Sequence, residues 1–154
     1  MDDRIFRNAM GKFATGVTVV TTELNEESHG MTANAFVSVS LTPKLVLISI
    51  DKKAKMLRLI QQSKRFAISF LNTEQQAESI RFAGQLKENS AYDFEEFEGL
   101  PVIKDALANI TCQLYKEVEA GDHILFIGEV TALKIQEGEP LIYFAGKYRE
   151  LSDS

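Results

Sequence analysis

The sequence predicts a mainly β protein, an antiparallel barrel with a few short helices appended. About seven stretches are β-branched or alternate apolar and polar residues with period two. Turns of hairpin length join most of them. The helical patterns are short and do not alternate regularly with the strands, as a doubly wound sheet would require.

Residues 3–13 place Ile5, Phe6, Ala9, Met10 and Phe13 at helical spacing, with Asp2 or Asp3 as the cap. GVTVVTT, residues 16–22, is β-branched and reads as a strand. ELNEESHG, 23–30, is a hairpin-type turn. GMTANAFVSVSL, 30–41, follows as one strand with two unlike faces. Ala33, Ala35, Val37, Val39 and Leu41 form a plain core face. Thr32, Asn34, Phe36, Ser38 and Ser40 form the other, four small hydrogen-bonding side chains and one aromatic ring where an exposed strand would normally carry Lys, Glu or Thr. The strand stops at Pro43. LVLISI, 45–50, is nearly all apolar and reads as buried on both faces.

Asp51-Lys52-Lys53-Ala54-Lys55 leads into a short helix with Met56, Leu57 and Ile60 inward. Residues 66–71 form another strand. Thr73 and Gln76 suit a capping box for a helix ending at Gly84. Periodicity is lost over 85–101, a long acidic loop bearing aromatics. From 108 to 118 alternation is clear. AGDH is a turn, and 124–135 is a long strand with Gly128 inside it, which predicts a bulge or a close backbone approach. EGEP is a turn, LIYFAG closes the set, and 149–154 reads as a frayed tail. No repeat or interior linker breaks the chain, so residues 1–154 are expected to form a single domain.

At 45% apolar and 25% charged residues the composition is that of an ordinary soluble globular protein. No apolar run approaches the roughly 20 residues of a membrane span, and the N-terminus lacks signal-peptide character. A cytoplasmic protein is expected, with no membrane partner. The net charge of −5 argues against nucleic acid. Cys112 is the sole cysteine, on an apolar strand face where a buried, inert thiol is expected. His29 and His123 lie far apart, in no ligand spacing, so no metal site is expected. Neither GxGxxG nor GxxxxGK[ST] nor GxSxG occurs. Side-chain nucleophile chemistry is thus poorly supported, and catalysis points to a bound organic cofactor. The small polar face of Thr32, Asn34, Ser38 and Ser40 could line a flat polar heterocycle, or it could be a solvated sheet. Lys52, Lys53 and Lys55 before a helix start suit a phosphate, or are a solvated helix start.

GVTVVTT, GMTANAFVSVSLTPKLVLISID, GDHILFIGEV and PLIYFAGKYREL, in this order, resemble the flavin reductase family, the small reductase components of two-component flavin-dependent monooxygenases. The resemblance implies an FMN-binding split β-barrel of Greek-key type, a homodimer, flavin near the subunit interface, and NADH or NADPH as reductant. FMN is the implied flavin, with FAD the alternative. Carried over by motif, Thr32, Ala33, Asn34 and Ala35 would lie along the isoalloxazine ring. Ser38, Val39 and Ser40 would lie near the ribityl chain and phosphate. Lys53, Ala54 and Lys55 would flank the phosphate, and Phe82 would touch the flavin from a helix end. His123 would stand beside the nicotinamide, and Tyr143 and Tyr148 would border the site, Tyr148 on its catalytic side. Ala54 and Met56 stand where the family usually offers hydroxyls, and Asp93-Phe94 replaces a Lys- or Arg-Phe pair.

The implied activity is NAD(P)H:flavin oxidoreduction, with hydride passing from nicotinamide C4 to flavin N5 and reduced flavin going to a partner monooxygenase. The alternatives are a flavin-binding carrier, sensor or redox protein without free-standing reductase turnover, and a small-molecule barrel without flavin.

Overall fold

The computed structural model describes residues 1–83 and 92–152. In chain order, α1 (Asp3–Met10) and β1 (Thr15–Gly16) precede β2 (Thr18–Leu24), β3 (Glu27–Ala33), β4 (Phe36–Ser40) and β5 (Leu45–Asp51). Next come α2 (Lys55–Ser63), β6 (Arg65–Phe70) and α3 (Gln76–Arg81). The chain then forms β7 (Glu95–Phe97), β8 (Leu100–Val102), β9 (Ala108–Ala120), β10 (His123–Ile135), β11 (Ile142–Phe144) and β12 (Lys147–Arg149).

Seven strands pair in the order β3-β2-β6-β9-β10-β5-β4, every neighbour antiparallel. β3 and β4 are the two edges, yet Asn34 and Ala35 alone separate them in sequence. Ala33 and Phe36 are three Cα steps apart, at most about 11 Å. The sheet must therefore curl until its edges nearly meet, which makes it a barrel split along one seam. Its neighbours jump in sequence (β2 beside β6, β10 beside β5), the Greek-key manner. The expected barrel is thus present, with twelve strands among the described residues where about seven were legible.

The interior is filled by Val20, Ala33, Val46, Ile48, Ile50, Phe66, Ile68, Cys112 and Phe126, with Met56 and Ile60 of α2 inserted among them. β2 is buried on both faces. Val20 points into the barrel, while Val19 points outward into a second cluster with Val17, Leu71, Phe82, Ile103 and Leu141. The small sheet β1-β11-β12, not foreseen, lends Tyr143 and Tyr148 to that outer cluster. Cys112 is the expected packed thiol, and burial pushes its pKa up to about 12. At Gly128 the β9–β10 register shifts, and a Cβ there would lie 2.6 Å from the Phe66 ring, so both the bulge and the close approach are present.

Several expectations need correction. Residues 30–41 form two strands rather than one. The supposed core face beyond the break is exposed, with Val37 at 51%, Val39 at 45% and Leu41 at 75%. Past the Asn34–Ala35 link the inward residue is Phe36, edge-on to Phe70 at 5.0 Å, and the outer face of edge strand β4 is left exposed among the described residues. The 23–30 turn shrinks to Asn25 and Glu26, whose positive φ of 53° and 67° suit the tight I′ hairpin. On β5, Val46, Ile48 and Ile50 are buried, but Leu45, Leu47 and Ser49 are half-buried. α1 forms, capped by the Asp2 carboxylate, yet buries none of its residues. The Thr73–Gln76 capping box does not form. Asn72 and Gln75 make the turn instead, the Asn72 side chain accepting from the Glu74 N–H at 2.8 Å, and α3 begins at Gln76. Gly84 and residues 85–91 of the expected acidic loop lie outside the described residues. Its remainder contains the β7–β8 hairpin, turning at Glu98 and Gly99.

Candidate functional site

The Asn34–Ala35 link is held by its carbonyls. Thr18 Oγ1 donates to Ala33 O at 2.6 Å, Phe36 N–H to Asn34 O at 3.0 Å, and Ser49 N–H to Ala35 O at 3.2 Å. The N–H groups of Asn34 and Ala35 have no partner among the described residues, and both side chains are exposed. Two adjacent free donors therefore stand on a backbone whose acceptors are already satisfied. The small side chains of Asn34 and Ala35 let a ligand come close to the main chain.

Beside the link lies an apolar groove of about 860 Å³, lined by Phe13, Val37, Leu47, Phe70 and Leu141 with Asn34, Ala35 and Ser49 at its polar margin. A flat aromatic system with a polar edge matches this arrangement: apolar walls for its faces, free amides for its acceptors. The groove residues on β5 and β6 escaped the sequence reading. Leu47 and Ser49 share one strand face, but the nearly unbroken apolar run around them read as burial on both faces.

The register carries a second group to the same end of β5. His123 stands opposite Asp51, and the Lys52 N–H donates to Asp122 O at 2.9 Å. Beyond Asp51 the chain turns into α2. Lys53 N–H donates to the Asp51 carboxylate at 2.8 Å, Ala54 N–H to Asp51 O at 2.9 Å, and Ala54 is an N-cap without a side-chain cap. The first amides of α2 thus remain available, with Lys53 and Lys55 beside them. Lys52 is engaged by Glu119. His123 Nδ1 lies 2.8 Å from the Asp122 carboxylate, and that hydrogen bond holds the Asp122 pKa below its ordinary value. Half-buried His29 lies on β3, not in a turn. Its pKa is lowered by burial first and by Lys55 second, against the pull of Glu27.

Other expected residues are placed differently. Thr32 is spoken for: its N–H donates to Phe82 O and its hydroxyl to Ser79 O, both at 2.6 Å. Ala33 is 9% exposed and faces the barrel interior. Phe82 is 1% exposed, and its ring packs against Gly30, Tyr92 and Phe94 as a core anchor. Ser38, Val39 and Ser40 line β4, with Val39 as the extra residue of a bulge. Ser40 pairs with Leu45 at the far end of β5, six residues from Asp51. That is about 20 Å along the strand, so one phosphate cannot touch both Ser40 and Lys53 of the same protomer. Tyr148 is half-buried and its hydroxyl lies 2.6 Å from Ser79 Oγ. Ser79, buried on α3, carried no sequence signal. Among the described residues no cluster of His, Cys, Asp and Glu could hold a metal, and no helix is long and apolar enough to cross a membrane.

Residues 10–152 match the family described as flavin reductase like domain. The chain is 43% identical over 148 residues to an NADH-dependent flavin reductase of Rhodococcus sp, covering 94% of this chain and 84% of that protein. It is 42% identical over 147 residues to the reductase component of 4-hydroxyphenylacetate 3-monooxygenase of Thermus thermophilus, covering 95% of each. Among solved structures, flavin reductase PheA2 in its native state superposes with a TM-score of 0.95 at 65% identity, over 99% of this chain and 100% of that one.

Proposed function

Because the chain belongs to the flavin reductase-like family, we propose that it is an NADH-dependent flavin reductase acting on FMN or FAD. The observation that carries this reading is the Asn34–Ala35 link: two free N–H donors beside an apolar groove large enough for a tricyclic ring. In the reaction a hydride leaves nicotinamide C4 for N5 of the bound flavin, with a proton completing the two-electron reduction.

The chain's own residues hold, orient and shield. The Asn34 and Ala35 amides face the acceptor edge of the ring and stabilise the negative charge that grows there. The groove walls exclude water from its faces. Lys53, Lys55 and the open amides of the first turn of α2 would receive the phosphate of a bound flavin. An alternative path runs along β4, where exposed Ser38 and half-buried Ser40, with Val39 between them, could take the ribityl chain and phosphate instead. His123, oriented by Asp122, stands at the same rim and orients the nicotinamide. No protein nucleophile takes part.

The protein is further proposed to act as a homodimer. Val37 joins Met10 and Phe13 in lining the groove, and all three are exposed apolar side chains, as are Val39 and Leu41 on β4. An exposed apolar surface of this kind marks an association site. Reduced flavin is proposed to pass to a partner monooxygenase, as the name of the Thermus thermophilus relative suggests for that protein.

Steady-state NADH oxidation tests the reading. The rate should rise and saturate with added FMN or FAD. Tight flavin binding without NADH oxidation would place the chain among flavin carriers or sensors, and no binding would leave a barrel for some other ligand. Within this reading, His123→Ala should lower the NADH-dependent rate by about 10-fold through lost orientation while the flavin Kd stays the same. An unchanged rate would return His123 to a turn residue closing the β9–β10 hairpin.

A further inference from the structure

We propose that Tyr148 and Ser79 are positioning residues for the flavin-binding link, acting through Thr32 rather than by touching the ring system. The inference rests on the function proposed above. β3 is an edge strand, so one side of its backbone lacks a strand partner. The end of α3 supplies one. Phe82 O accepts the Thr32 N–H and Ser79 O accepts the Thr32 hydroxyl, each at 2.6 Å. Thr32 is therefore gripped by two carbonyls two residues before Asn34. The grip is close because Gly30 leaves room for the Phe82 ring. A Cβ at Gly30 would lie 2.9 Å from that ring.

The position of α3 is fixed in turn from the other end of the chain. Ser79 is 1% exposed, and its Oγ meets the Tyr148 hydroxyl at 2.6 Å. Tyr148 is itself held on β12, opposite Tyr143 and edge-on to it at 5.2 Å. A contiguous path thus runs from Tyr148 through Ser79 to Thr32 and the free amides of Asn34 and Ala35. Shortening that path at the hydroxyl pair lets α3 shift, and the two donors move with β3. Their direction toward a ligand acceptor is what changes, while the reacting atoms keep their own contacts.

The test uses the full chain and three variants: Tyr148→Phe, Ser79→Ala and the double replacement. Each single variant should raise the FMN Kd, read by fluorescence quenching, and the KM for FMN by about five- to ten-fold, with kcat within about two-fold of the parent. The double variant should bind FMN no worse than either single, because all three break the same bond. It should also recover melting temperature, because no hydroxyl is left buried without its partner. FMN affinity that recovers together with melting temperature in the double variant would show a role in stability alone and overturn the proposal. Tyr148→Phe with a lowered kcat and unchanged Kd and KM would place the hydroxyl at the reacting atoms and overturn it as well, as would variants indistinguishable from the parent. A parent chain without flavin-dependent NADH oxidation would instead remove the functional reading itself.

Discussion

Asn34→Leu is expected to weaken flavin binding by about 100-fold or more while leaving the fold intact. The side chain is exposed on the link between the two sheet edges, so its replacement disturbs no packed neighbour, and surface changes of this kind usually stay within about 0.5 kcal/mol of stability. At the site the effect is large. Leucine offers no hydrogen bond and overhangs the free amides of Asn34 and Ala35. Each polar atom of the ring edge left without a partner costs about 1–3 kcal/mol, and two such losses reach the hundred-fold range. Titration of FMN by fluorescence, beside a thermal melt, gives both numbers. A variant that melts normally and binds FMN normally would remove the link from the flavin site. Ser38→Leu belongs in the same series, because it separates the two phosphate paths. Weakened binding there would favour the route along β4. Normal binding, with weakening in Lys53→Ala and Lys55→Ala, would favour the start of α2.

Gly128→Val should be the most damaging single change to the fold. Here β10 bulges against β9, and the added Cβ would stand 2.6 Å from Phe66 Cζ and 2.8 Å from Cys112 Cβ. Phe66 is 0% exposed and Cys112 1%, so neither has room to retreat. Overpacking of this kind costs about 1–3 kcal/mol even for modest additions, and valine adds two further methyl groups. A loss of about 3 kcal/mol or more, read as a lowered urea midpoint with an unchanged m-value, is expected. Gly128→Ala should fall at the lower end of the same range. Pairing it with Phe66→Leu, which removes the ring atoms nearest the new Cβ, should cost less than the sum of the two separate changes. Simple additivity would mean that the close approach does not set the cost.

How much of this was legible depended on whether the signal was local. Gly128 announced itself because a glycine in the middle of a long alternating strand has few other uses. The inward set Met56 and Ile60 could be read from helical spacing, and so could the capping Asp2. The break at Asn34–Ala35 could not. The period-two set Ala33, Ala35, Val37 and Val39 runs on across it, with Phe36 as the single apolar residue in the opposite set, and what splits the segment is the pairing of β3 with β2 and of β4 with β5, which are long-range facts. The exposure of Val37, Val39 and Leu41 was hidden for the same reason, since a strand pattern does not say which face receives a cover. Motif resemblance brought Asn34, Ala35, the Lys53–Lys55 segment and His123 to notice, and the fold gathers them at one end of β5. It also brought Phe82 and Thr32, whose side chains the fold uses internally. Ser79 has no local signature, because its meaning arises from a tyrosine far away in sequence.

The joining of both sheet edges by two residues also bears on how the chain reaches its native state. The β2–β3 and β4–β5 hairpins and the long β9–β10 pair are local and can form early. They are joined into one sheet by β2 with β6, β6 with β9 and β10 with β5, pairings that draw together distant parts of the chain. Loop-closure entropy is lost before those contacts are gained. Long-range pairing of this kind slows folding, and until it is complete the amides of Asn34 and Ala35 have no fixed wall to face.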